Sequence, residues 1–107
     1  MTAMIRLCRV EDLVEGEPRQ ADPDGSHSFA VFTAEGEYFV TDALCTHGKA
    51  LLSDGYQEGH VIECPLHGGS FDIRTGEPVT APCEIALRTY KALIDDGWVA
   101  VAAGAEG

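Results

Sequence analysis

The sequence is poor in basic residues, with 7 Lys and Arg set against 18 Asp and Glu, a formal charge of −11 at pH 7. That balance argues against partners with phosphate backbones or anionic lipid headgroups, so neither nucleic acid nor a membrane surface is expected to bind. No apolar run approaches the roughly 18 to 20 residues needed to cross a bilayer. Met1 to Arg9 lacks the apolar core of a secretory signal, and a cytoplasmic location is expected. Cysteine is scarce: Cys8, Cys45, Cys64 and Cys83 are the four. Without a sign of secretion a disulfide framework is a poor use for them, and a metal site is a better use for some. Repeats, low-complexity tracts and linkers are also missing. A length of 107 residues, 45% of them apolar, suits one compact core, so a single domain spanning 1–107 is expected.

What is present is a series of short stretches rich in Val, Ile, Phe, Tyr and Trp, separated by glycine- and acid-rich turn signals, the pattern of an all-β antiparallel chain. Ile5 to Cys8 reads as a first strand, and Val10 to Val14 as one helical turn closed by Gly16. Pro18 to Ala21 reads as extended chain. Ser28 to Thr33 and Glu37 to Thr41 flank Ala34-Glu35-Gly36, a three-residue hairpin connection with glycine where left-handed backbone is needed. Leu87 to Ile94 and Trp98 to Ala102 flank Asp95-Asp96-Gly97 in the same way. Between the hairpins, residues 42–83 are richer in Gly, Pro, Cys and His and poorer in alternation. That insert reads as a site-bearing subdomain, and Ala103 to Gly107 as a loose tail.

Within the insert stand Cys45-Thr46-His47 and Cys64-Pro65-Leu66-His67, with sixteen residues between the two groups. Each offers one thiolate and one imidazole, which converge on one centre only if the backbone turns between them. Gly48, Pro65, Gly68 and Gly69 permit such turning. Two soft thiolates with two borderline imidazoles suit either a tetrahedral zinc or a two-iron cluster with two Cys on one iron and two His on the other. Zinc modules of mixed ligation usually group Cys with Cys and His with His. Here each loop contributes one of each, which lets two similar loops approach a two-iron cluster from either side.

The pattern C-x-H followed by C-P-x-H-G, carried by Cys45, His47, Cys64, Pro65, His67 and Gly68, resembles that of the Rieske proteins. The family fold, a β-sandwich with an inserted cluster-binding subdomain, is also the layout read from the strand pattern. The resemblance implies one [2Fe–2S] cluster, with Cys45 and Cys64 on the inner iron and His47 and His67 on the outer, more exposed one. Backbone N–H groups from Gly48, Lys49, Gly68, Gly69 and Ser70 are implied to face the cluster sulfurs. Pro82 resembles the proline of the third loop covering the cluster, although a strand-entry proline is the plainer reading.

High-potential members carry a disulfide between the two loops at positions aligning with Ala50 and Leu66. They also place serine and tyrosine hydroxyls near the sulfurs where Gly69 and Phe71 stand. This chain lacks all four groups. Hydrogen bonds to sulfur favour the reduced cluster, so a low potential is expected. Low-potential, stand-alone chains of this length resemble the ferredoxins of bacterial aromatic-ring-hydroxylating oxygenases. That implies no substrate chemistry of its own, a flavin-dependent NAD(P)H reductase as donor and a terminal oxygenase with its own Rieske centre as acceptor; a monomer is expected. The competing readings are the Rieske-like small subunit of an assimilatory nitrite reductase and a zinc-stabilised interaction module. The resemblance leaves His27, His60, Cys8 and Cys83 without a site role. The histidines read as surface or structural residues, and the cysteines as small buried apolar ones that a disulfide could join. Phe29, Phe32, Tyr38, Phe39, Phe71 and Trp98 read as core residues of strands that alternate with polar positions. Asp42, Asp54 and Glu63 read as flanking charges within reach of Lys49 or Arg74.

Overall fold

The structure, a computed structural model, describes residues 3–23, 25, 27–46, 50–66, 68–80 and 85–102. Eleven antiparallel strands among these residues form three sheets. The first sheet pairs the two ends of the described chain: β1 (Met4–Arg9) lies beside β11 (Trp98–Ala102), which pairs in turn with β10 (Leu93–Asp95). The second has the order β2 (Arg19–Ala21), β3 (Phe29–Ala34), β4 (Glu37–Asp42), β9 (Thr89–Tyr90). The third, formed entirely within the insert, has the order β5 (Tyr56–Glu58), β6 (Val61–Glu63), β7 (Ser70–Asp72), β8 (Pro78–Thr80). The helical turn after the first strand is a 3-10 turn at Val10–Asp12, and a second one covers Leu52–Asp54.

Two hairpin connections are shorter than their sequences suggest. Ala34 pairs with Glu37 and Asp95 with Trp98, so each turn holds two residues. Both central residues adopt positive φ, 52° and 80° at Glu35 and Gly36 and 50° and 83° at Asp96 and Gly97. That left-handed pair matches the right-handed twist of the flanking strands better than a three-residue loop does. The stretch Leu87 to Ile94 is not one strand either. Its Thr89–Tyr90 part joins the second sheet and its Leu93–Asp95 part the first. The chain changes sheets at Lys91 and Ala92.

The central strand β3 explains the packing. Its residues do not alternate apolar with polar, because both faces are covered. Phe29 and Val31 enter a core with Cys8, Val40, Tyr90, Val99 and Val101 between the first two sheets. Ala30 and Phe32 point the other way, into a core with Leu52, Ile62, Phe71, Ile73 and Leu87 that joins the second sheet to the insert. Of the six aromatic residues read as core, Phe29, Phe32 and Phe71 are fully buried, while Tyr38, Phe39 and Trp98 are half-buried at the rim. A strand buried on both faces reads as a continuous apolar run, and Phe-Ala-Val-Phe is such a run.

Candidate cluster site

The insert presents two loops built alike. In the first, the stem is held by Leu52 N–H donating to Ala43 O at 2.7 Å and by a bridge between Leu44 and Leu51, and the loop closes where Cys45 N–H donates to Ala50 O at 2.9 Å. In the second, the stem is the β6–β7 pair, and the loop closes where Cys64 N–H donates to Gly69 O at 2.7 Å. Each cysteine therefore heads a loop whose closing carbonyl lies five residues further on. Gly68 N–H also donates to Cys64 O at 3.1 Å, and Gly68 takes φ of 74°, a left-handed turn that costs glycine least. A Cβ at Gly68 would meet nothing within 4 Å, so backbone conformation rather than space selects glycine there.

Cys45 and Cys64 are 1% and 0% exposed and belong to the same apolar core, beside Phe32, Ile62 and Phe71. Two thiols brought to one dry region by matching loops fit the pair of soft ligands that the inner iron of a Rieske cluster requires. His47 and His67 lie outside the described residues, as do Gly48, Lys49, Pro82 and Cys83. Cys8 is buried and pairs with no cysteine among the described residues, and burial raises its thiol pKa above the ordinary value.

Around the loop ends the surface turns apolar. Leu44, Leu66 and Ile85 are each more than half exposed. The Thr46 hydroxyl donates to Ile85 O at 2.9 Å, tying the first loop to the returning chain. A groove of about 340 Å³ runs between the loops and is lined by Ala50, Leu51, Asp54, Pro65 and Leu66. The two positions that align with the paired cysteines of high-potential proteins therefore face one groove. Ser70, buried in β7, shares a 2.8 Å hydrogen bond with the Thr80 hydroxyl.

Two of the flanking charges, Asp42 and Arg74, have other partners than the sequence suggests, and Lys49 lies outside the described residues. Arg74 grips Asp72 from two residues away, with Nε on Oδ1 at 3.0 Å and Nη2 on Oδ2 at 2.8 Å, rather than reaching Asp42. That guanidinium fork is the main cause holding the Asp72 carboxyl below its usual pKa. Asp42 instead accepts from Tyr90 and from His27. No local motif signals this contact, since Tyr90 is 48 residues away in sequence.

An antiparallel β-fold carrying two loops of this kind, each headed by a buried cysteine of a C-x-H or C-P-x-H-G motif, defines a small iron–sulfur protein. The chain belongs to the Rieske [2Fe–2S] domain family, which it matches over residues 3–91, and the family's cofactor is a Rieske-type [2Fe–2S] cluster. It is 40% identical over 106 residues to the ferredoxin component of the p-cumate 2,3-dioxygenase system of Pseudomonas putida, covering 98% of this chain and 90% of that one. Among solved structures it resembles a ferredoxin from Sphingomonas yanoikuyae B1, with 50% identity, a TM-score of 0.90 and coverage of 94% and 98% of the two chains. It also resembles the ferredoxin seen in a complex of reduced oxygenase and oxidized ferredoxin of carbazole 1,9a-dioxygenase, at 36% identity, a TM-score of 0.85 and 92% coverage of each chain. Proteins so named are electron carriers rather than catalytic subunits.

Proposed function

We propose that this chain is the low-potential Rieske ferredoxin of an aromatic-ring-hydroxylating oxygenase system, passing single electrons from an NAD(P)H-dependent flavin reductase to a terminal oxygenase with its own Rieske centre. The observation that carries this reading is the pair of like-built loops whose buried cysteines share one core. In this reading Cys45 and Cys64 hold the inner iron and His47 and His67 the outer one, in a subdomain of about residues 42–83 within a single domain, 1–107. When bound, the cluster takes up and gives back one electron.

The protein's own residues do the rest. Phe32, Ile62, Phe71 and their neighbours keep water from the thiolates. This reading assigns the amides of Gly48, Lys49, Gly69 and Ser70 to the sulfurs and Pro82 to the covering loop, whereas the Gly68 N–H is taken up by Cys64 O. The exposed Leu44, Leu66 and Ile85 form an apolar collar suited to brief docking, and the −11 charge favours basic partner surfaces. Gly69 and Phe71 bring no hydroxyl to the sulfurs, and Ala50 and Leu66 bring no disulfide, which supports a low potential. In this reading the carrier is a monomer that works in the cytoplasm; among the described residues no helix is long and apolar enough to cross a membrane.

Electron paramagnetic resonance of the dithionite-reduced protein tests this reading. A mixed Cys and His [2Fe–2S] centre gives an averaged g-value below that of all-cysteine clusters, and His67→Ala should abolish it. A colourless protein containing zinc would establish the interaction-module reading instead. Tight co-purification with a large sirohaem protein would establish the nitrite reductase subunit. Reduction by an NADH-linked flavoprotein and delivery to an oxygenase are the outcomes expected here.

A further inference from the structure

The chain enters the insert from the end of β4 and returns from it into β9, and one carboxylate joins the two legs. Asp42, the last residue of β4, accepts on a single oxygen, Oδ1, from the Tyr90 hydroxyl of β9 at 2.5 Å and shares that oxygen with His27 Nε2 at 2.8 Å. The Tyr90 hydroxyl also lies 3.2 Å from His27 Nε2. The backbone repeats the same links: Asp42 N–H donates to Arg88 O at 3.0 Å, and Ala43 N–H to Ser28 O at 3.0 Å. Three ring contacts hold the group in place, since His27, Phe29 and Tyr90 pack on one another with centroids 4.6 to 6.0 Å apart. Tyr90 is buried, and His27 and Asp42 are each about one-quarter to one-third exposed.

From this knot the first loop rises without a break. Ala43 O receives Leu52 N–H, Leu44 bridges Leu51, and Cys45 N–H reaches Ala50 O. The second loop has a separate foundation, the β6–β7 pair. We infer that Tyr90, Asp42 and His27 are positioning residues that lock the neck of the insert and hold the first ligand loop, not the second, in register with the rest of the site. The inference rests on the cluster reading only for its consequence, cluster retention; the lock itself belongs to the protein backbone.

Tyr90→Phe in the iron-loaded protein removes the hydroxyl and keeps the ring, so the contacts with Phe29 and His27 remain. Val101→Ala, in the same core but in β11, serves as a variant that loosens the base while leaving every hydrogen-bonding group of the neck in place. Hydrogen–deuterium exchange is expected to quicken about tenfold in peptides spanning Ala43 to Leu52 in Tyr90→Phe, as loss of a hydrogen bond to a charged acceptor implies, while peptides spanning Cys64 to Ser70 keep their wild-type rate. Asp42→Asn, which keeps one acceptor oxygen, should fall between. Bleaching of the visible absorbance under chelator should follow the same order of variants. Exchange in Tyr90→Phe that matches wild type, or that rises in both loops as in Val101→Ala, would overturn the inference. If wild type takes up no iron, the cluster reading fails while the exchange measurement still decides the lock.

Discussion

At Phe71 the contact between sequence and redox tuning narrows to one atom. The ring is fully buried in the core that also holds Cys45 and Cys64, and high-potential relatives place a tyrosine hydroxyl at the aligned position. Phe71→Tyr should raise the midpoint potential by about 60 mV, the one-electron equivalent of a hydrogen bond that favours the reduced cluster by about 1.4 kcal/mol. Potentiometry showing no shift would mean that the hydroxyl points away from sulfur. Asp72 makes a different residue-level statement. Its carboxyl is depressed chiefly by the Arg74 hydrogen bonds, so the ionised form is favoured in the folded state. The sign follows directly: this stabilisation is complete above the unfolded carboxylate pKa and is lost as pH falls through the lower folded value. Acid unfolding should therefore show Asp72→Asn less stable than wild type near neutrality, with the difference closing at low pH. A constant difference across the titration would contradict it.

Among the elements, the turn between β7 and β8 is tightly constrained. Gly76 N–H donates to Asp72 O at 2.7 Å and Gly76 O receives Leu87 N–H at 2.8 Å, so one residue closes the turn and docks the returning chain. Its φ is 81°, and a Cβ there would stand 2.1 Å from Leu87 O. Backbone strain and a backbone clash act together, and Gly76→Ala should cost about 3 kcal/mol or more, a fall in melting temperature of roughly 12 to 24 °C. Calorimetry finding a loss of only a few degrees would show that the returning segment yields. The elements also show which parts of the fold were legible. The first strand, the helical turn and the hairpin strands follow from β-rich stretches and turn residues, which are local signals. The split of Leu87 to Ile94 between two sheets leaves no such mark, because each half is a good strand by itself and only packing assigns it a sheet.

For the whole molecule, charge is the property that reaches furthest. A net −11 combined with the apolar collar of Leu44, Leu66 and Ile85 suits partners that are steered at long range and held at short range by contact. Raising ionic strength from about 0.02 M to 0.5 M shrinks the screening length severalfold. In a reconstituted electron-transfer chain the apparent KM for this protein should rise about tenfold over that range, with little change in maximal rate. A KM indifferent to salt would leave docking to the collar alone.

The amino-acid order by itself determined the all-β class and the two mixed Cys and His motifs, because turn chemistry, strand-forming runs and residue spacing act over a few residues. It also carried the family pattern. The tertiary structure alone decided that Cys45 and Cys64 share one core and that Tyr90 and His27 meet on Asp42. Those contacts join residues up to 63 positions apart, and only the sheet register and the burial of β3 on both faces bring them together.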